Sequence, residues 1–125
     1  MNIPDYYLPV MPYLILSDAN GFLKFAKTVF GAKEQMIVAG EDDRKIMHGE
    51  ITIGKAAIMF ADANEQWQVK TSGMFLYVSN LDAIYLAAVE NGAVSLNPPQ
   101  MQQYGYSAGF NDPFGNQWWI TDVQD

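Results

Sequence analysis

Apolar and polar positions along the chain alternate between two periods, and the switches mark the elements. Tyr7 to Leu16 is apolar enough for a strand, with Pro9 and Pro12 tolerable only near its start, so the spacing predicts a strand from about Val10. Phe22, Leu23, Phe25, Ala26, Val29 and Phe30 then recur at helical spacing behind Asp18, a capping residue, and Gly31 stops the helix. Lys33 to Ala39, Lys45 to Ile53 and Ala56 to Ala61 read as three strands, the first two joined by the charged turn Gly40-Glu41-Asp42-Asp43 and the last two by Gly54. The sequence then repeats itself: a strand at Gly73–Val78, a helix at Leu81–Glu90 ending at Asn91-Gly92, a short strand from Val94 to Leu96 closed by Asn97-Pro98-Pro99, and strands at Tyr104–Phe110 and Gln117–Val123.

The sharpest local signal is the turn Asp112-Pro113-Phe114-Gly115. Pro113 fixes its own φ, the Asp112 side chain can accept from backbone two residues on, and Gly115 can take the positive φ that closes the reversal. This geometry alone explains Asp112, which is read as shaping the turn. Gly54 through Asp62 has a similar layout to Gly115 through Asp122, and Tyr13 to Gly31-Ala32 resembles Phe75 to Gly92-Ala93. One unit of strand, helix and three strands is used twice, at about residues 7–62 and 73–125 of a single domain spanning 1–125. The polar stretch of about 63–72, around a lone Trp67, reads as the linker. The expected class is α+β, with two βαβββ modules whose mixed sheets curl around a cleft and carry their helices outside.

Composition narrows the partners. A chain of 125 residues, half of them apolar, can bury a core, whereas a net charge of −7 at pH 7 excludes nucleic acid and anionic membrane as natural partners. With no cysteine there is neither a disulfide framework nor thiolate chemistry. No basic leader precedes an apolar run and no stretch approaches ~20 apolar residues, so a soluble cytoplasmic protein is expected.

Candidate chemistry is sparse. His48 is the only histidine, and alternation puts it on one strand face with Ile46, Glu50 and Thr52, with Met47, Ile51 and Ile53 opposite. His48 and Glu50 admit three readings: a catalytic acid–base pair, two ligands of a metal, or a hydrogen-bonding strand face. Tyr104 and Tyr106, two apart, either contact a ligand at the cleft mouth or form an aromatic ladder. Ser17, Ser72, Ser79, Ser95 and Ser107 lie in no nucleophile motif, and no glycine-rich phosphate loop is present.

Several segments in order carry a family resemblance: Met11-Pro12-Tyr13-Leu14 leading to Ser17-Asp18-Ala19, Phe30-Gly31-Ala32-Lys33-Glu34, His48-Gly49-Glu50 before Ile53-Gly54, and Asp112-Pro113-Phe114-Gly115-Asn116-Gln117-Trp118. The chain resembles the vicinal oxygen chelate superfamily of glyoxalases, bleomycin resistance proteins and extradiol dioxygenases, in its PhnB-like branch. The resemblance implies a divalent-metal site at four equivalent positions, which fall here on Met11, Met59, Gly73 and Trp119. A soft thioether, a missing side chain and an indole donor make no hard-ion site, so neither a metal nor another cofactor is expected. The resemblance also implies a cleft lined by Met11, Tyr13, Ile15, Ala57, Met59, Phe75, Tyr77 and Trp119, with Gln117, Tyr104 and Tyr106 near it; these side chains either hold a ligand or fill the space between the sheets. The reading that follows is a metal-free binding protein, often a homodimer in this fold, for a small apolar, planar or cationic molecule. Its alternative is a lyase, isomerase or other glyoxalase-type enzyme that uses His48 and Glu50 or a displaced divalent metal.

Overall fold

The structure is a computed structural model and describes residues 2–41 and 44–123. The charged turn expected at 40–43 includes Asp42 and Asp43, which lie outside the described residues. By its contacts the chain divides into two compact units, Met1–Thr71 and Ser72–Asp125.

The first unit runs β1 (Tyr13–Leu16), α1 (Ala19–Phe30), β2 (Lys33–Ala39), β3 (Ile46–Ile53) and β4 (Ala56–Asp62). Its sheet has the order β1-β4-β3-β2, with β1 parallel to β4 and the other pairs antiparallel. The Asp18 carboxylate accepts from the Gly21 N–H to start α1, and Gly31 ends it in the left-handed region at φ 67°. One stripe of α1, including Phe22, Leu23, Phe25 and Val29, is buried against β1, β3 and β4, where Phe22 meets Phe60 edge to face at 5.3 Å. Leu14, Leu16, Ile51 and Ile58 complete this core.

Strand β1 starts at Tyr13 and not near Val10. Pro12 has no N–H to give the ladder and serves it only through its carbonyl, which accepts from Met59 N–H. The polar stretch after β4 is fastened to the first sheet. Ile15 and Lys70 exchange both backbone hydrogen bonds, and the Asn64 side chain accepts from the Gln66 and Trp67 N–H groups.

The second unit runs β5 (Gly73–Val78), α2 (Leu81–Glu90), β6 (Val94–Gln102), β7 (Gly105–Asn111) and β8 (Gln117–Asp122), in the sheet order β5-β8-β7-β6. Trp118, Ile120, Phe110 and Ala108 are buried, and α2 packs on β6, β7 and β8. The expected short strand at 94–96 continues through Pro98 and Pro99 to Gln102. Because β6 is an edge strand, its prolines withhold no inner ladder bond, and the register shifts between Ser95 and Asn97 and between Asn97 and Gln100 absorb them. Both units thus carry the βαβββ order, which makes the fold α+β with two four-stranded mixed sheets. Among the described residues no helix is long and apolar enough to cross a membrane.

Candidate functional site

In the first sheet, Tyr13 stands opposite Met59 across β1 and β4, and Met59 stands opposite Glu50 across β4 and β3. That register gathers polar side chains on the face away from α1. Glu50 is 2% exposed, so its carboxylate must find donors within the protein. It finds two: the Tyr7 hydroxyl donates to Oε1 at 2.7 Å, and His48 Nε2 lies 2.7 Å from Oε2. His48 Nδ1 lies in turn 3.0 Å from the Tyr13 hydroxyl, with the two rings 5.5 Å apart and tilted by 40°. The four side chains form one line, Tyr7–Glu50–His48–Tyr13, from a pre-strand segment through β3 to β1. The hydrogen bond to Glu50 pushes the Tyr7 phenol well above its ordinary value, with burial acting the same way. Tyr13 is raised by burial and further by Glu50, against an opposing pull from Arg44.

Tyr13 also forms a wall of a cavity of about 560 Å³, within the size range of small-molecule sites, which is shared with Ile15, Ala61, Met47, Trp67, Arg44 and Asp62. Tyr13 and Trp67 give it aromatic surface, and Ile15, Ala61 and Met47 give it aliphatic and thioether surface. Asp62 fastens the frame. Its carboxylate accepts from Ala19 N–H at the start of α1 and from Ile46 N–H at the start of β3, each at 2.8 Å.

A bulge sets the composition of this wall. Val38 pairs with His48 and Ala39 with Ile46, so Met47 is one residue too many on β3. Simple alternation would place Ile46 with His48 and Met47 opposite. With the extra residue, Ile46 is 4% exposed in the core and Met47 reaches the cavity.

The other expected site residues fall in both units. Met11 precedes β1, and Met59 lies between Tyr13 and Glu50 in the ladder. In the second unit Phe75 stands opposite Trp119, and Gly73 opposite Gln117, on the face away from α2; Phe75 meets Tyr77 edge to face at 5.1 Å. The Trp119 indole donates to Gln117 Oε1 at 3.1 Å, and its ring lies over Gly109. Tyr104 and Tyr106 do not share a strand face. Tyr104 falls in the turn before β7, where it borders a dent of about 10 Å³ with Trp119, too small for more than a water. Tyr106 turns to the helix, donating to Asp82 on α2 at 2.6 Å, a bond that raises its phenol above the ordinary value.

Sequence reasoning missed Arg44, Met47, Asp62 and Trp67 as cavity residues. A tryptophan alone in a polar stretch was the available signal for Trp67. For Met47 there was none, because a bulge leaves no mark in the hydrophobic period.

A family model for the Glyoxalase/Bleomycin resistance protein/Dioxygenase superfamily matches residues 8–120. The chain belongs to that superfamily. Among solved structures it is similar to PA1353 from Pseudomonas aeruginosa, with TM-score 0.79 at 22% identity over 94% of this chain and 99% of that one. A PhnB protein from Bacillus cereus gives TM-score 0.75 at 14% identity over 93% and 100%. TnmS3, an antibiotic binding protein from Streptomyces sp. CB03234, gives 0.67 at 16% over 94% and 100%. At these identities the likeness is one of fold. A search of curated protein sequences finds no match.

The superfamily's metal enzymes raise the question of whether this chain's residues fit a divalent ion, and they do not. The positions that the resemblance implies for the ligands hold Met11, Met59, Gly73 and Trp119, of which none is a hard oxygen or nitrogen ligand. His48 has both ring nitrogens, and Glu50 both oxygens, within hydrogen-bond distance of protein partners. Among the described residues no group of three or more His, Cys, Asp or Glu could hold a metal.

Proposed function

We propose that the protein binds a small, planar, largely apolar organic molecule in the cavity of its first unit, without a metal. The observation that carries this is the wall itself, where Tyr13 and Trp67 offer aromatic faces and Ile15, Ala61 and Met47 fill in between. Arg44 and Asp62 put one charge of each sign in the same wall, so the charges of the cavity itself do not select a cation despite the net charge of −7. An antibiotic binding protein with this fold lends support by analogy of architecture alone. Indole, which is planar and neutral, serves as a probe. Its titration should move the backbone NMR signals of Tyr13, Ile15, Met47 and Ala61 together with the Trp67 side-chain signal, and W67A should weaken binding about tenfold, in line with loss of an aromatic contact. Shifts confined to other residues, or none at saturating probe, would refute the site. Stabilisation by Mn, Fe, Ni, Zn or Cu in a thermal shift would refute the metal-free part.

The line from Tyr7 to His48 beside the cavity supports a second reading, an enzyme of lyase or isomerase type with His48 and Glu50 as its acid–base pair. H48Q separates the two, since binding survives it under the first reading and turnover is lost under the second. The exposed pair Phe75 and Tyr77 supports a homodimer, which sedimentation at the 14.0 kDa of a single chain would refute.

A further inference from the structure

The side chains leading to Tyr13 fix more than its position. An ionised carboxylate only accepts hydrogen bonds, so a ring nitrogen 2.7 Å from Glu50 Oε2 must carry the proton. In the neutral imidazole of His48 that proton sits on Nε2, which leaves Nδ1 a bare acceptor. The Tyr13 hydroxyl, 3.0 Å from Nδ1, then has one possible role in that contact: it donates. Tyr7 reinforces the order at the far end by donating to the other oxygen of Glu50, so the carboxylate is oriented by donors on both sides.

We infer that this chain of hydrogen bonds makes Tyr13 a one-way selector in the cavity: its only proton is committed to His48, and its oxygen lone pairs are what it offers a ligand. The inference rests on the cavity being the binding site and adds the chemical class of what it prefers, a planar molecule carrying an N–H or O–H donor at its edge. A ligand that presents only acceptors to Tyr13 would have to break the bond to His48 or leave its own acceptor unpaired, and either carries a penalty. Glu50 and Tyr7 are not among the residues that line the cavity. They are positioning residues, and buried Glu50 is the element that decides the direction.

Two measurements test this. His48 is the only histidine in the sequence, so the imidazole nitrogens give one set of NMR signals. Long-range proton–nitrogen spectra of the whole protein at pH 8 should show a protonated Nε2 and a bare Nδ1. A proton on Nδ1, in either the other tautomer or the imidazolium ion, would overturn the inference whether or not anything binds. The second measurement compares indole with 1-methylindole, which differ by the N–H donor, by calorimetric titration. Indole should bind about two- to tenfold more tightly, the range expected of one net hydrogen bond, and Y13F should abolish the difference. Equal affinity for both probes in the native protein, or a preference that survives in Y13F and is therefore steric, would overturn the selector while leaving the binding site standing. Failure of both probes to bind would overturn the site and the selector together.

Discussion

Replacing Asp112 should be the most damaging single change in the second unit. The carboxylate is 6% exposed and accepts four hydrogen bonds: Oδ1 from the Phe114 and Asn116 N–H groups at 2.8 and 2.9 Å, and Oδ2 from Asn116 Nδ2 and Trp118 Nε1 at 3.0 and 2.9 Å. It therefore closes the turn into β8 and also neutralises donors in the core, since Asn116 is 0% and Trp118 1% exposed. In Asp112→Ala at least the three donors from Asn116 and Trp118 lose their partner where water does not reach, at about 1–3 kcal/mol each; with partial relaxation the expected loss is about 4 kcal/mol. Asp112→Asn sharpens the test. If the amide oxygen keeps the turn, the amide nitrogen faces two donors, and Asn116 cannot flip to accept without giving up the bond from Ser72 N–H at 3.1 Å. A loss of about 2–3 kcal/mol follows even though size and shape are preserved. Urea unfolding of these variants in a W67F background leaves Trp118 and Trp119 as reporters, both in the second unit, and the midpoint at unchanged slope gives the difference. If Asp112→Asn fell within about 0.5 kcal/mol of its parent, the range of an ordinary surface change, the hydrogen-bond argument would be wrong.

Three further outcomes are expected. Tyr7, Tyr13 and Tyr106 are raised above the ordinary tyrosine value, so the stability they contribute is fully present below pH of about 10, where tyrosine in the unfolded chain ionises, and is lost as pH rises through their folded values. A spectrophotometric titration should show part of the tyrosine absorbance change falling above the ordinary range, and completion of the whole change near pH of about 10 with the fold intact would contradict this. A Cβ on Gly49 would lie 2.5 Å from Phe60 Cζ and one on Gly109 2.2 Å from Trp119 Cζ3; Phe60 is 0% exposed and cannot yield, whereas half-buried Trp119 can swing out. Gly49→Ala should therefore cost about 2–3 kcal/mol in melting experiments and Gly109→Ala distinctly less, with a red-shifted emission; the reverse order would refute the packing argument. Finally, α1 buries six residues and has a side-chain cap, whereas α2 buries two and its first residue follows Asn80, which makes no side-chain cap bond, so amides of α2 should exchange at least about tenfold faster; equal protection would refute the difference in anchoring.

Where local chemistry decides the structure, the sequence was a sufficient guide. β5 and α2 lie where period and capping place them, at Gly73–Val78 and Leu81–Glu90, and Asp18, Gly31 and the Asp112 turn act as their residue types require. The misses share a different cause, which is that neighbouring strands and not local preference determine the outcome. Pro98 and Pro99 end a strand only if an N–H is needed there, and on the edge position of β6 none is. Ile46 and Met47 exchange roles because β2 pairs across a bulge, a property of two strands that neither shows alone. Tyr106 reads as a partner of Tyr104 until Asp82, 24 residues away in the chain, supplies an acceptor on the helix side. The pair His48 and Glu50 was visible, but its two tyrosine partners lie 35 and 43 residues away, so its direction was not.

The two copies of the unit differ in a way that bears on the proposed binding site. Each places a glycine under an aromatic ring on the neighbouring strand, but Gly49 makes room for Phe60, which packs toward α1, whereas Gly109 makes room for Trp119 on the face away from α2. The first unit therefore closes its core with that ring, and the opposite face is left to Tyr13, His48 and Glu50 beside the cavity. The second unit closes its core with Trp118, secured by Asp112, and its opposite face carries Phe75, Tyr77 and Trp119, with a small dent beside Trp119. Asp62 binds the start of α1 and of β3 and lines the cavity, so the residue that fixes the frame also shapes the wall, and a rigid wall lowers the entropic cost of holding a planar ligand. A repeated backbone has thus kept its turn chemistry in both copies while placing the cavity and the directional hydrogen bonds in the first.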